Sequence, residues 1–226
     1  MERYLADLVA ERRVFTFVGE VDSDSARDCI TWLLESVQDE EPATLVLSTQ
    51  GGNVHAARAV ADTVRLAVAG GLVLDIVIVG RCMSSGVEVL LSVSAEHRFA
   101  AADARLMVHP SVTTLSSSQK ILSNHSLSDA QAAELSRLLG EPCVYEAHVL
   151  QEQLLELYAR ETHWTVDEAR KYLGRTTYMS GTEALTHGLV GTVLSANPKK
   201  PVPTKVGRLQ RTLHRLRHPF KPSAKA

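Results

Sequence analysis

The chain has only three cysteines, Cys29, Cys82 and Cys143, scattered over 226 residues. An odd and sparse count excludes a disulfide framework and fits a reducing compartment, so a cytoplasmic location is expected. The cysteines stand in no metal-ligand spacing, and apart from His109 the histidines read as surface or helix residues, so neither a metal site nor a cofactor is expected. No uncharged apolar run reaches the roughly 18 residues that would suggest a membrane span. The opening MERYLADLVAERR is charged throughout and lacks the apolar centre of a secretion signal. Neither G-x-x-x-x-G-K-[ST] nor G-x-G-x-x-G occurs, which argues against nucleotide binding. The formal net charge is only −2, but the stretch from Pro198 onward carries no acid at all and is rich in Lys and Arg. The body is therefore acidic, and nucleic acid is not an expected partner.

What is present is an alternation of strand and helix patterns. Arg13 to Glu20 alternates and is rich in β-branched and aromatic residues, which predicts a strand. A helix follows, with Ser23 or Asp24 as N-cap and Ala26, Ile30, Leu33, Leu34 and Val37 at helical spacing. ATLVLST predicts a buried strand, and HAARAVADTVRLAVAGG a helix with Ala56, Val60, Val64 and Ala67 on one face and Gly70–Gly71 as its stop. This order predicts an α/β fold with parallel strands and right-handed crossovers. Further helices are expected after Ser128 and Thr165, the latter with Glu168 completing a capping box, and over the amphipathic VYEAHVLQEQLLELYARET. Trp32 and Trp164 read as packing residues. The basic, proline-rich segment 197–226 reads as a solvated tail appended to one domain spanning 1–196, or else as a helix that forms on an acidic partner or an anionic surface.

The informative stretch runs from Leu72 to His109. Leu72 to Val79 is apolar but for Asp75 and mostly β-branched, the pattern of a strand buried on both faces and ended by Gly80. Ser84, Ser85 and Gly86 then precede an apolar stretch, Val87 to Val93, that predicts a helix. A small hydroxyl residue at a strand-to-helix corner suits a nucleophile, because the first backbone N–H groups of the helix are unpaired and can stabilise an oxyanion. His109 follows the run Arg105 to Val108, apolar after its arginine, and precedes Pro110, which places an imidazole at a strand end. Gly51–Gly52, between a strand and a helix, is either a tight turn or a point where a ligand carbonyl approaches a backbone N–H.

These pieces resemble the proteolytic subunit of the Clp protease, a serine peptidase family on a crotonase-like fold. FTFVGEV, STQGGNVHAARAVADTV, GRCMSSG, LMVHP and YMSGTEALTHGLVGTVL occur in the family's order and cover about residues 8 to 195. The resemblance implies a spiral of βαβ units with an α-helical handle region. It implies Ser84 as nucleophile, with Ser85 the local rival, and His109 as general base. It further implies Gly51 and the N–H of Ser85 as the oxyanion hole. It implies polypeptide substrates, a homo-oligomeric ring and a Clp-type ATPase partner. The family's third triad member is an Asp, and here that position falls on Thr176. A hydroxyl can orient an imidazole but does not stabilise an imidazolium as a carboxylate does. Asp167, Glu168 and Glu183 are near in sequence, though none stands at the matching position.

Three functions compete: an ATP-dependent serine endopeptidase; a weak or inactive subunit of the same fold partnering an active paralogue; and a crotonase-type acyl-CoA enzyme. The third sits poorly with Ser and His, since such enzymes usually use Glu or Asp for acid–base work.

Overall fold

The computed structural model describes residues 5–114, 121–123 and 127–194. The basic segment 197–226 and most of the Ser/Thr-rich stretch after Thr114 lie outside the described residues. The described part is α/β, as the alternation predicts. After a short helix α1 (Leu5–Val9) come β1 (Arg13–Val21), α2 (Ser23–Gln38), β2 (Ala43–Gly52), α3 (Val54–Ala69), β3 (Leu74–Met83) and α4 (Ser85–Leu90). A single 3₁₀ turn (Ala95–His97) leads to β4 (Arg98–Ala101) and β5 (Arg105–Val108). A small antiparallel pair, β6 (Val112–Thr114) with β7 (Ile121–Ser123), precedes α5 (Asp129–Leu139), α6 (Cys143–Glu161) and α7 (Val166–Leu173). The described chain closes with β8 (Thr177–Ser180), α8 (Gly181–Thr186) and β9 (Thr192–Leu194).

Seven of the described strands form one sheet, with β1, β2, β3, β4 and β9 in that spatial order and all parallel. β3 is its axis. Leu74 to Ile78 are all buried, as a strand covered on both faces requires. Contrary to expectation, β3 does not end at Gly80 but continues to Met83, and there it changes neighbour. Ile76–Ile78 pair with Arg98–Ala100 of β4, whereas Arg81–Met83 pair with Arg105–Met107 of β5. The extension forms because β5 offers ladder partners beyond the point where β4 stops. A second departure is β8, which runs antiparallel to β5, with Val108 opposite Thr177.

Helix spacing decides what is buried. α3 turns Ala57, Val60, Ala61, Val64 and Ala67 inward, and its N-cap Asn53 accepts from the N–H groups of His55 and Ala56. α2 is capped by Asp22 rather than Ser23 or Asp24, because the Asp22 carboxylate reaches the amides of Asp24 and Ser25 while Ser25 Oγ closes the box. Its inner face also differs from expectation. Cys29, Trp32 and Leu33 are buried while Leu34 and Val37 are exposed, since Trp32 stacks on Phe15 of β1 with centroids 5.4 Å apart. Trp164 stacks between Tyr158 and Tyr172, so both tryptophans are packing residues.

One buried cation ties the end of the sheet to the helices. Arg98 is 1% exposed. Its Nε donates to the Val93 carbonyl at 2.7 Å, and its Nη1 to the carbonyls of Glu161 and Gly188. Its Nη2 meets the Glu161 carboxylate at 2.9 Å. Arg98→Met keeps the volume but strips three carbonyls and a carboxylate of their donor. It is expected to lower the unfolding free energy by about 3–5 kcal/mol, read from the urea midpoint. A change under about 1 kcal/mol would show that the cluster is solvated instead.

Candidate active site

The site forms where β3 hands over to α4, beside the end of β5. The Ser84 amide donates to the Met107 carbonyl at 2.8 Å, which locks the corner to β5 two residues before His109. Ser84 has φ 54° and ψ −130°, a backbone conformation that a non-glycine residue adopts only when its surroundings force it. That turn aims the side chain at the neighbouring strand. Ser84 Oγ lies 2.7 Å from His109 Nε2. Ser85 Oγ points elsewhere and donates to the Gly52 carbonyl at 3.3 Å.

His109 Nδ1 lies 2.7 Å from the carbonyl of Pro110. A carbonyl only accepts, so Nδ1 carries the ring hydrogen. Nε2 is then left as an acceptor facing the Ser84 hydroxyl, the tautomer that a general base needs. Among the described residues no carboxylate hydrogen-bonds this ring. The β5–β8 ladder ends at Val108 and Thr177, so His109 and Thr176 are the next residues beyond the last pair, and Thr176 is exposed. Thr176 makes no described bond to the imidazole, whose Nδ1 has the Pro110 carbonyl as its partner. Glu168 and Glu183 close capping boxes with Thr165 and Ser180, and those amides and hydroxyls hold both carboxyls below their usual range. Asp167 also lies in the first turn of α7.

The glycines next to the site are dictated by contact. A Cβ on Gly51 would lie 2.6 Å from Ser84 Cβ and 2.7 Å from the Met83 carbonyl oxygen, at a φ of +87°. A Cβ on Gly86 would lie 2.3 Å from the Thr49 methyl. β2 and the corner therefore interlock through Thr49, whose hydroxyl accepts from the Gly51 N–H at 3.0 Å. That bond commits the Gly51 amide, and it is Gly52 that lines the cavity with Ser84, Ser85 and His109. Gly51→Ala is expected to push the Ser84 corner out of place. The rate at which a serine-reactive fluorophosphonate labels Ser84 should fall at least tenfold with the fold retained, read beside a circular dichroism spectrum. An unchanged rate would show that the corner relaxes freely.

The cavity holds about 320 Å³. Its wall is α6, through Leu150, Leu154 and Tyr158. The segment after His109 is fastened to that helix, because the Ser111 amide donates to Gln151 Oε1 at 2.7 Å and the Ser111 hydroxyl to the Ala147 carbonyl. Glu88 also lines the cavity and is buried. Sequence alone gives Thr49, Gln151 and Glu88 no role, and marks Pro110 only as the residue after a strand end. Only Glu88 carried a signal, as a lone acid inside an otherwise apolar run. No group of three or more metal-ligating side chains occurs among the described residues, and none of their helices is long and apolar enough to cross a membrane.

The structure is that of an α/β protein with a serine hydroxyl against an imidazole at a strand-to-helix corner of a mostly parallel sheet. The chain belongs to the Clp protease family, whose model matches residues 2–197. It is 28% identical over 191 residues to the ATP-dependent Clp protease proteolytic subunit 1 of Protochlamydia amoebophila, covering 84% of this chain and 83% of that one. To the subunit 1 of Chlamydia pneumoniae it is 27% identical, over 83% of this chain and 89% of the relative. The fold matches a point mutant of ClpP1 from Listeria monocytogenes with a TM-score of 0.63 at 21% identity, covering 84% of this chain and 96% of that one. The ClpP-like fold expected from the motifs is thus the observed one.

Proposed function

We propose that this Clp-family protein is a serine endopeptidase in which Ser84 is the nucleophile and His109 the general base. The carrying observation is the 2.7 Å contact between Ser84 Oγ and an imidazole whose tautomer is set by the Pro110 carbonyl. His109 takes the Ser84 proton as the hydroxyl attacks a peptide carbonyl, then passes it to the leaving amine. The developing oxyanion is received by the amides of Ser85 and of the Gly51–Gly52 turn, with Gly52 rather than Gly51 facing the cavity. α4 has only six residues, so this stabilisation comes from individual amides and little from a helix dipole.

The substrate class is unfolded or flexible polypeptide, cut inside a homo-oligomeric ring fed by a Clp-type ATPase in the cytoplasm. The names of the relatives support this, since both are subunits of ATP-dependent proteases. So do large apolar residues left in solvent on the described surface, Val18 at 71% and Leu66 at 74% exposure, which suit contact between copies. A fluorophosphonate probe should label Ser84 in the folded protein and fail on Ser84→Ala; a folded protein that takes no label at Ser84 rejects the reading. A second reading, a weak or silent subunit working beside an active paralogue, is favoured by one observation: no described carboxylate touches His109. It predicts mixed rings and negligible cleavage by the purified homomer.

A further inference from the structure

Glu88 lies four residues after Ser84, about one helical turn along α4. Its side chain is 5% exposed and lines the cavity that holds Ser84 and His109. Its Oε1 accepts from Arg58 Nε at 3.1 Å, but its Oε2 is buried with no partner. Arg58 does not supply the missing donor, because its Nη1 turns away to Gln153 Oε1 at 2.7 Å. The other charges acting on Glu88, Arg65 and Asp62, pair with each other at 2.8 Å. A buried carboxylate oxygen left unpaired is costly, and the cost is relieved by a ligand that brings a donor. Leu150, Leu154 and Tyr158 wall the same cavity, an apolar sleeve suited to an aliphatic stem with a polar head.

We propose that Glu88 is the floor of the subsite that receives the substrate side chain next to the scissile bond, and that it selects lysine or arginine there. The assignment deepens the Ser84–His109 reading and rests on it. A basic side chain passes its methylenes along α6 and donates its terminal N–H to Glu88 Oε2. An aliphatic side chain of similar length fills the sleeve but leaves that oxygen unpaired. A charge-assisted hydrogen bond in a dry site corresponds to a preference for lysine over leucine of about ten- to a hundredfold.

The test uses matched lysine and leucine diphenyl phosphonates on the full chain, with the Ser84 labelling rates compared within each variant. The expected lysine-to-leucine ratio is ten or more in the unaltered protein and near one in Glu88→Gln. In Glu88→Leu it inverts. That variant replaces a buried charge with an apolar group of similar size and leaves Arg58, already 31% exposed, free to turn to solvent. Binding is read separately with butylguanidinium on Ser84→Ala, by NMR chemical shifts, and should weaken at least tenfold when Glu88→Gln is added. If no phosphonate labels Ser84 while butylguanidinium binds in a Glu88-dependent way, the peptidase reading fails and the cation subsite stands. A ratio near one in the unaltered protein, or guanidinium binding indifferent to Glu88, overturns the subsite.

Discussion

Ser84→Ala is expected to lower peptide hydrolysis about a hundredfold, far less than the same substitution costs in a complete triad. Removing the nucleophile of a full Ser–His–Asp system costs about 10⁶ in turnover, and losing the carboxylate alone costs about 10⁴. Here the ring is held by the Pro110 carbonyl at 2.7 Å, which fixes the tautomer but carries no full negative charge to match an imidazolium. The intact centre therefore starts near the level of a triad without its acid, and only the remaining factor can be lost. His109→Ala should cost about the same, and the double variant hardly more, because the two act as one unit. Rates on a fluorogenic peptide, measured for all three variants against the unaltered protein, decide this. A fall of 10⁵ or more on Ser84→Ala would mean that a carboxylate reaches His109 in the working enzyme. Identical rates in all four proteins would mean that Ser84 is not the nucleophile.

Thr176→Asp is expected to raise kcat by at least tenfold. The antiparallel register of β5 and β8 places Thr177 opposite Val108, and Thr176 and His109 are the next residues beyond that last pair. Thr176 is exposed, so a carboxylate of similar size enters without disturbing the core. Only the charge-stabilising part of the missing carboxylate is regained, because the tautomer is already correct, so the gain stays below the full 10⁴. Steady-state kinetics on the same peptide provide the check, with KM expected to change little since Thr176 does not line the cavity. No gain in kcat, with the new carboxylate seen on His109 Nδ1 in a crystal structure, would refute the claim that the missing charge limits the rate.

The Ser84–His109 pair and the Arg98 cluster belong to different parts of the same sheet. Arg98 opens β4, which pairs with the first half of β3, while His109 follows β5, which pairs with the second half. Arg98→Met is thus expected to change stability more than the Ser84–His109 distance. The separation makes it a useful control for variants at the corner.

Much is legible in the sequence itself. The buried strand at Leu74 to Ile78, the helix stripe of Val60 and Val64, the caps at Ser128 and Thr165, and the serine and histidine that meet could all be placed along the chain. Each depends on local chemistry: hydrophobic period, capping side chains, or a small residue between apolar runs. The Asp22 cap and the exposed Leu34 and Val37 were misplaced by small shifts, since register within a helix is decided by what the helix packs against, here Phe15 through Trp32.

The tertiary structure alone decided how those pieces act on one another. Strand pairing joins residues far apart in the chain, so neither the change of neighbour along β3 nor the antiparallel run of β8 has a local signature. The carbonyl that orients His109 belongs to the backbone of Pro110, and a backbone acceptor looks the same beneath every side chain. The amide of Gly51 is taken by Thr49, and Glu88, one acid in an apolar run, acquires meaning only because it has an unpaired oxygen and lines the same cavity as Ser84. Composition and periodicity report which groups must be buried, whereas the partner each finds there is set by long-range packing.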